Sequence, residues 1–190
     1  SMVIKKGEYS MKTITRSSEQ IYQHPYFTAF RESYQLPSGK IVDPYYFVAI
    51  PDSVTALCIT KEKEVLFIQQ YRHPVGEVFL ELPGGFMDAG EDMYTAIQRE
   101  LMEETGFHFE HIEYLTTTFG NPGALKGATH LFLATEGIHA NTQQLDENEE
   151  ITLQRCSIEA AKEKLLQGEI KQSMHALCMF HAFHKLNLSL

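Results

Sequence analysis

The segment GGFMDAGEDMYTAIQRELMEETGF, residues 84 to 107, constrains this chain more than any other, because it reads as a helix with a marked start, a marked stop and two incompatible faces. The helix is expected to open near Glu91 or Asp92 and to close at Gly106, since glycine adopts the left-handed cap conformation without a Cβ penalty. Met93, Ile97 and Leu101 recur at helical spacing and form a stripe that packs. Glu100, Glu103 and Glu104 gather on another stripe, at i, i+3 and i+4.

Crowding three like charges has a cost that decides the reading. At about 6 Å and an effective dielectric near 20, each pair repels by roughly 3 kcal/mol, whereas an Arg99 to Glu103 pair returns only tenths. In full solvent the repulsion falls below about 1 kcal/mol, so the larger cost falls only on a face lining a cleft. There a divalent cation reverses the sign. Mg2+ takes oxygen ligands and typically shares carboxylates with substrate phosphates. The Pro83-Gly84-Gly85 turn just before the helix can bring a backbone carbonyl to the same ion, with Gly84 as the donor.

Composition narrows the partners. With 190 residues the chain suits one domain with a small appendage, and 43% apolar with 22% charged residues is ordinary globular usage. The formal charge of -9 leaves nucleic-acid binding without an electrostatic footprint, so a phosphate ligand needs a mediating cation. Cys58, Cys156 and Cys178 have no paired spacing and read as thiols of an intracellular, cytoplasmic protein. No apolar run has the length of a membrane span, and none at the start has signal-peptide length.

Along the chain, QIYQHPYFTAFRESYQ and KIVDPYYFVAI flank LPSG at 36 to 39 and read as the two arms of a hairpin. SVTALCIT and EVLFIQQY, separated by KEKE, read as a second hairpin leading into the core, and VFLELPGG ends in a loop that feeds the acidic helix. EHIEYLTTTF, THLFLATEG and ITLQRC read as later strands. Ser157 caps a helix that runs through Leu166 and stops at Gly168; Met174, Leu177, Cys178 and His181 mark the inner stripe of a last helix.

Gly85, Glu91, Arg99-Glu100-Leu101, Glu103-Glu104 and Gly106-Phe107 match the box of the Nudix hydrolases at every specified position, with phenylalanine as the last bulky residue. The resemblance implies an α/β class fold, the Nudix-type α/β/α sandwich with a mixed sheet. It also implies hydrolysis of a nucleoside diphosphate linked to another moiety, with Mg2+ or Mn2+ as cofactor. By the same resemblance Glu100, Glu103 and Glu104 are metal ligands, Gly84 a carbonyl ligand, and Arg99 and Glu91 orienters of the site. Such chemistry leaves little covalent work to the protein, because the metal neutralises phosphate oxygens and positions the nucleophile.

Outside the box, QQYRHPVGEVFLELPGG at 69 to 85 and Pro122 resemble the ADP-ribose pyrophosphatase branch, while Gly84 departs from its more frequent alanine. The upstream β text also resembles that branch, where it often exchanges between subunits of a homodimer. The expected organisation is thus an N-terminal β region at 1-50 and a hydrolase domain at 51-190. Arg72 suits bidentate contact with diphosphate oxygens, Tyr71 can border a base or ribose, and Tyr26 and Phe27, with Tyr22, are candidates for base stacking. DENEE at 146 to 150 resembles the branch's mobile acidic segment, which implies Glu147 as general base and Glu149 as extra ligand, or the reverse, with Glu150 weaker.

The expected substrate is ADP-ribose or a related nucleoside diphosphate sugar. The rivals are GDP-mannose-type cleavage, nucleoside triphosphate hydrolysis, and a nucleotide sensor of the same fold that does not hydrolyse. A sensor usually loses box carboxylates, and here all are present. His175, His181 and His184 lack the partners of a zinc site and are expected at a core edge or in solvent.

Overall fold

SVTALCIT is apolar at nearly every position because both faces of the strand it forms are covered. In the computed structural model, which describes residues 12–145 and 150–189, this strand is β4 (Ser53–Thr60), buried from Val54 onward. It lies in a mixed sheet with β5 (Glu64–Arg72), β8 (Phe107–Thr118), β10 (Thr129–His139) and β11 (Ile151–Ser157), in the order β11-β5-β4-β10-β8. Two short strands join it: β6 (Glu77–Glu81) pairs with β5, and β7 (Gly84–Phe86) with β4. The pairing of β4 with β10 is parallel and the others are antiparallel.

Helix α1 (Met93–Thr105) covers one face, packing Ala96, Ile97 and Leu101 on Val54, Ala56, Cys58, Leu66 and Phe132. Helices α2 (Ile158–Leu166) and α3 (Ser173–Lys185) cover the other through Ala161, Leu165, Cys178, Met179 and Phe183. This is the expected α/β/α sandwich. Alternation along a strand assigns residues to faces: Leu66 and Ile68 of β5 look toward α1, Val65 and Phe67 toward α2 and α3.

The helix limits follow local signals. Asp92 accepts hydrogen bonds from the Tyr94 and Thr95 amides, and Gly106 closes α1 at φ 71° with its N–H on the Met102 carbonyl. Ser157 caps α2 by accepting from the Ala160 amide.

A separate unit combines residues up to Ile50 with Asn121–Lys126. Its sheet runs β1 (Ile14–His24), β2 (Phe27–Gln35), β3 (Ile41–Ala49) and β9 (Leu125–Lys126). The turn at LPSG forms as expected, with Gly39 at φ 84° donating to the Leu36 carbonyl.

Three local expectations need correction. The first β-rich arm is two strands, because Pro25 and Tyr26 turn the chain and β1 pairs back on β2. The Pro-Gly-Gly loop is in part strand: Thr55, Val54 and Ser53 pair with Gly84, Gly85 and Phe86. In α3 the buried stripe is His175, Cys178, Met179, Ala182 and Phe183, whereas His181 and His184 are exposed. His175 goes inward because its Nδ1 accepts the Leu82 amide at 3.1 Å.

Candidate active site

The pairing of β7 with β4 delivers the glycine pair to the side of α1. Gly84 donates its N–H to the Glu104 carboxylate at 2.7 Å, and Glu104 is itself only 4% exposed. Gly85 lies directly beneath the Glu100 carboxylate: a Cβ built on it would stand 2.6 Å from Glu100 Oε1. Glycine at 85 is therefore a requirement of close approach to the helix.

Arg99 organises the other side of the cluster. It grips Glu91 with both arms, Nε to Oε1 and Nη2 to Oε2 at 3.0 Å each, and Nη2 also donates to the Phe86 carbonyl at 3.1 Å. Its Nη1 lies 2.9 Å from Glu100 Oε1 and 3.0 Å from Glu103 Oε2. Hydrogen bonding from Arg99, with help from the Asp88 amide, holds the Glu91 carboxyl below the usual carboxylate range. The same carboxylates, Glu91 foremost, raise the guanidinium above its ordinary value, so Arg99 is permanently charged.

Glu100 and Glu103 thus converge on one positively charged nitrogen, and that observation tests their fitness for a metal. Carboxylate oxygens make a hard donor set that suits a divalent cation. Glu104 is engaged at the Gly84 amide, and among the described residues no three histidine, cysteine or acidic side chains already enclose a common point.

Arg72 leaves β5 on the face that carries α1 and is held by Glu81 of β6, Nε to Oε1 at 2.9 Å and Nη2 to Oε2 at 2.5 Å. The Glu81 side chain is 1% exposed and that of Arg72 39%, so a buried carboxylate presents a half-open guanidinium. Tyr71, the next residue back, leaves the opposite face and lines a cavity of about 490 Å3 with Gln69, Val78, Ile151 and Thr152. Arg72 and Tyr71 are therefore not brought together. Tyr26 and Phe27 belong to the other unit, where both are exposed and Phe27 stacks on Tyr22. Glu147 and Glu149 lie outside the described residues; Glu150 is exposed.

Glu81 is not singled out in the sequence, and His175 is expected there only at a core edge or in solvent. The signal for Glu81 was present, an acidic residue closing the apolar strand text VFLE, but its partner is set by the register of β5 on β6.

Residues 49–177 match the family model described as NUDIX domain, and residues 14–48 match one described as nucleoside diphosphate sugar hydrolase N-terminal domain. A Bacillus subtilis (strain 168) protein named ADP-ribose pyrophosphatase is 30% identical over 85% of this chain and 87% of its own. A Bacillus methanolicus protein named methanol dehydrogenase activator is 30% identical over 87% and 88%. Among solved structures, one described as an ADP compounds hydrolase superposes with a TM-score of 0.80 at 20% identity, covering 93% of this chain and 95% of its own.

Proposed function

The chain belongs to the Nudix family of hydrolases, and from that premise we propose that it hydrolyses the pyrophosphate bond of ADP-ribose or a close nucleoside diphosphate sugar. The products are a nucleoside monophosphate and a sugar phosphate. The observation that carries the reading is the convergence of Glu100 and Glu103 on one cationic nitrogen beside Gly85, with the Arg72 guanidinium held on the same sheet face. The similarity to the Bacillus subtilis ADP-ribose pyrophosphatase over most of both chains supports the substrate class.

Glu100, Glu103 and Glu104 with the Gly84 carbonyl would hold the divalent cation, Mg2+ in preference with Mn2+ as a substitute. When bound, the cation supplies neutralisation of the diphosphate oxygens. Arg99, fixed by Glu91, aims Glu100 and Glu103. Arg72, anchored by Glu81 and half open, donates to diphosphate oxygens. Glu147 accepts a proton from the water that attacks phosphorus, the bridging oxygen leaves with one phosphate, and Glu149 supports the cation; exchanging these two roles leaves the balance unaltered. Tyr26 and Phe27 serve as contacts to base or ribose, whereas Tyr71, on the face opposite Arg72, does not.

The N-terminal unit is proposed to take part in a homodimer in the cytoplasm, on the ground of its match to the sugar hydrolase N-terminal domain; light scattering at twice the monomer mass is the expected result. No described helix is long and apolar enough to cross a membrane. Activity is tested by incubation with ADP-ribose, GDP-mannose, dGTP and a dinucleoside polyphosphate in Mg2+, followed by chromatography. AMP and ribose 5-phosphate are expected, and inertness toward every sugar nucleotide would defeat the reading.

A further inference from the structure

A row of register partners crosses the sheet at one level: Thr117 on β8, His130 on β10, Val54 on β4 and Gly85 on β7. Val54, like Phe132 and Ala134 of β10, faces α1, and His130 shares their parity, so this row lies on the α1 face. At one end stands the Glu100 carboxylate over Gly85. Two strand spacings, about 10 Å, separate Gly85 from His130.

The far end of the row is polar. The Tyr114 hydroxyl lies 2.7 Å from Thr117 Oγ1, which lies 2.8 Å from His130 Nδ1. His130 Nε2 is 4.0 Å from Asp52 Oδ2, while Asp52 Oδ1 accepts the Ala128 amide at 2.8 Å. Beside this group, Tyr94 of α1 and Tyr114 both set ring edges against Phe132, at 5.4 and 5.8 Å between centroids, and both remain about two-fifths exposed, 43% and 37%.

Either hydroxyl can donate in the Tyr114–Thr117 bond, and the Thr117–His130 bond follows the tautomer; one direction gives the group a specificity. If Tyr114 donates to Thr117 and Thr117 donates to His130 Nδ1, the imidazole carries its hydrogen on Nε2, aimed toward Asp52. The 4.0 Å span is too long for a hydrogen bond between Nε2 and Oδ2, but one oxygen about 2.8 Å from each atom bridges it at close to a right angle. That oxygen must accept from Nε2 and donate to the carboxylate. A hydroxyl does both; a phosphate oxygen can only accept and meets the charge of Asp52, and an ammonium cannot accept.

We propose that His130 and Asp52 form a subsite that grips one sugar hydroxyl of the diphosphate substrate, with Thr117 and Tyr114 as positioning residues that fix the imidazole. The two tyrosines supply the apolar walls against which a sugar ring lies. This rests on the proposed hydrolysis of a nucleoside diphosphate sugar. The hydroxyl belongs either to the nucleoside ribose or to the distal sugar, which the test separates.

The test measures kcat/KM in Mg2+ for the intact protein and for Asp52→Ala, His130→Leu, Thr117→Val and Thr117→Ser. Three substrates are used: ADP-ribose, the methyl ester of ADP at its terminal phosphate, and ADP-ribose lacking the adenosine 2′ and 3′ hydroxyls. The first three variants should lose about ten- to a hundredfold on ADP-ribose. The loss should vanish on whichever analogue lacks the gripped hydroxyl: on the methyl ester for the distal sugar, on the dideoxy compound for the nucleoside. Thr117→Ser, which keeps the oxygen, should recover most of what Thr117→Val loses. Asp52 is half exposed, so its variant tests the subsite even if His130→Leu does not fold. Equal losses on all three substrates, or no loss on ADP-ribose, would overturn the subsite while leaving the hydrolysis intact. If the intact protein cleaves none of the three, the hydrolysis reading falls and the subsite with it.

Discussion

Glu100 and Gly85 are in such close apposition that a Cβ on the glycine would lie 2.6 Å from Oε1 and 2.7 Å from Cδ of the glutamate. The obstacle is the far end of a flexible side chain, so Gly85→Ala is accommodated by swinging the carboxylate away. Turnover of ADP-ribose should fall by about a hundredfold or more, as misplacements near 1 Å do, while the melting temperature moves by less than about 4 °C. A variant with normal turnover would separate Glu100 from the chemistry.

Gly84→Ala should behave in the opposite sense. Its Cβ would meet the Val54 carbonyl oxygen at 2.1 Å and Thr55 Cα at 2.7 Å, both backbone atoms of β4, at a φ of 146°. Neither neighbour can yield, so the substitution costs about 3 kcal/mol of stability, read as a lower urea midpoint. An undiminished midpoint would contradict the tight β7 to β4 pairing.

The Arg72 and Glu81 pair should show an asymmetry. Arg72→Ala strands a carboxylate that is 1% exposed, at a cost of about 3 kcal/mol. Glu81→Gln leaves a half-open arginine and an amide that still accepts from it, for about 1 kcal/mol. Both should raise KM for ADP-ribose. Equal stability losses in denaturant titrations would show that burial of the Glu81 carboxylate does not set the cost of breaking the pair.

Much of this architecture is written locally. Asp92, Gly106 and Ser157 announce the helix limits because caps depend on neighbours in sequence, and the box spacing announces the charged face of α1. What stays hidden depends on register and packing. The turn at Pro25 is masked by aromatic and β-branched text on both sides, and Gly84 to Phe86 look like loop because only pairing with β4 makes them strand. His175 reads as one more polar residue, although its ring is the acceptor that lets the Leu82 amide be buried. Tyr71 and Arg72, adjacent in the text, suggest a shared role, and strand alternation separates them.

His175 carries a pH signature. Burial, opposed by the Glu81 charge and reinforced by that of Arg72, pushes its imidazole from 6.5 down to about 4. Between those values the unfolded chain binds a proton that the folded chain does not, so stability rises with pH across that window. The contribution is complete above about pH 6.5 and is lost as pH falls toward 4, with a maximum of about 3 kcal/mol. Urea titrations from pH 4 to 7 should show this slope, and His175→Gln should flatten it. An unchanged slope in the variant would assign the pH dependence to other groups.

The glutamates of α1, with Gly84, are proposed to seat a divalent cation against a diphosphate. This is tested most directly by titrating Mg2+ and Mn2+ calorimetrically into the protein bound to a non-hydrolysable ADP-ribose analogue, alongside Glu103→Gln and Glu104→Gln. Saturable uptake by the parent protein, weakened at least about tenfold in both variants, is the predicted result. No uptake by the parent, or uptake that both variants retain in full, would contradict the account.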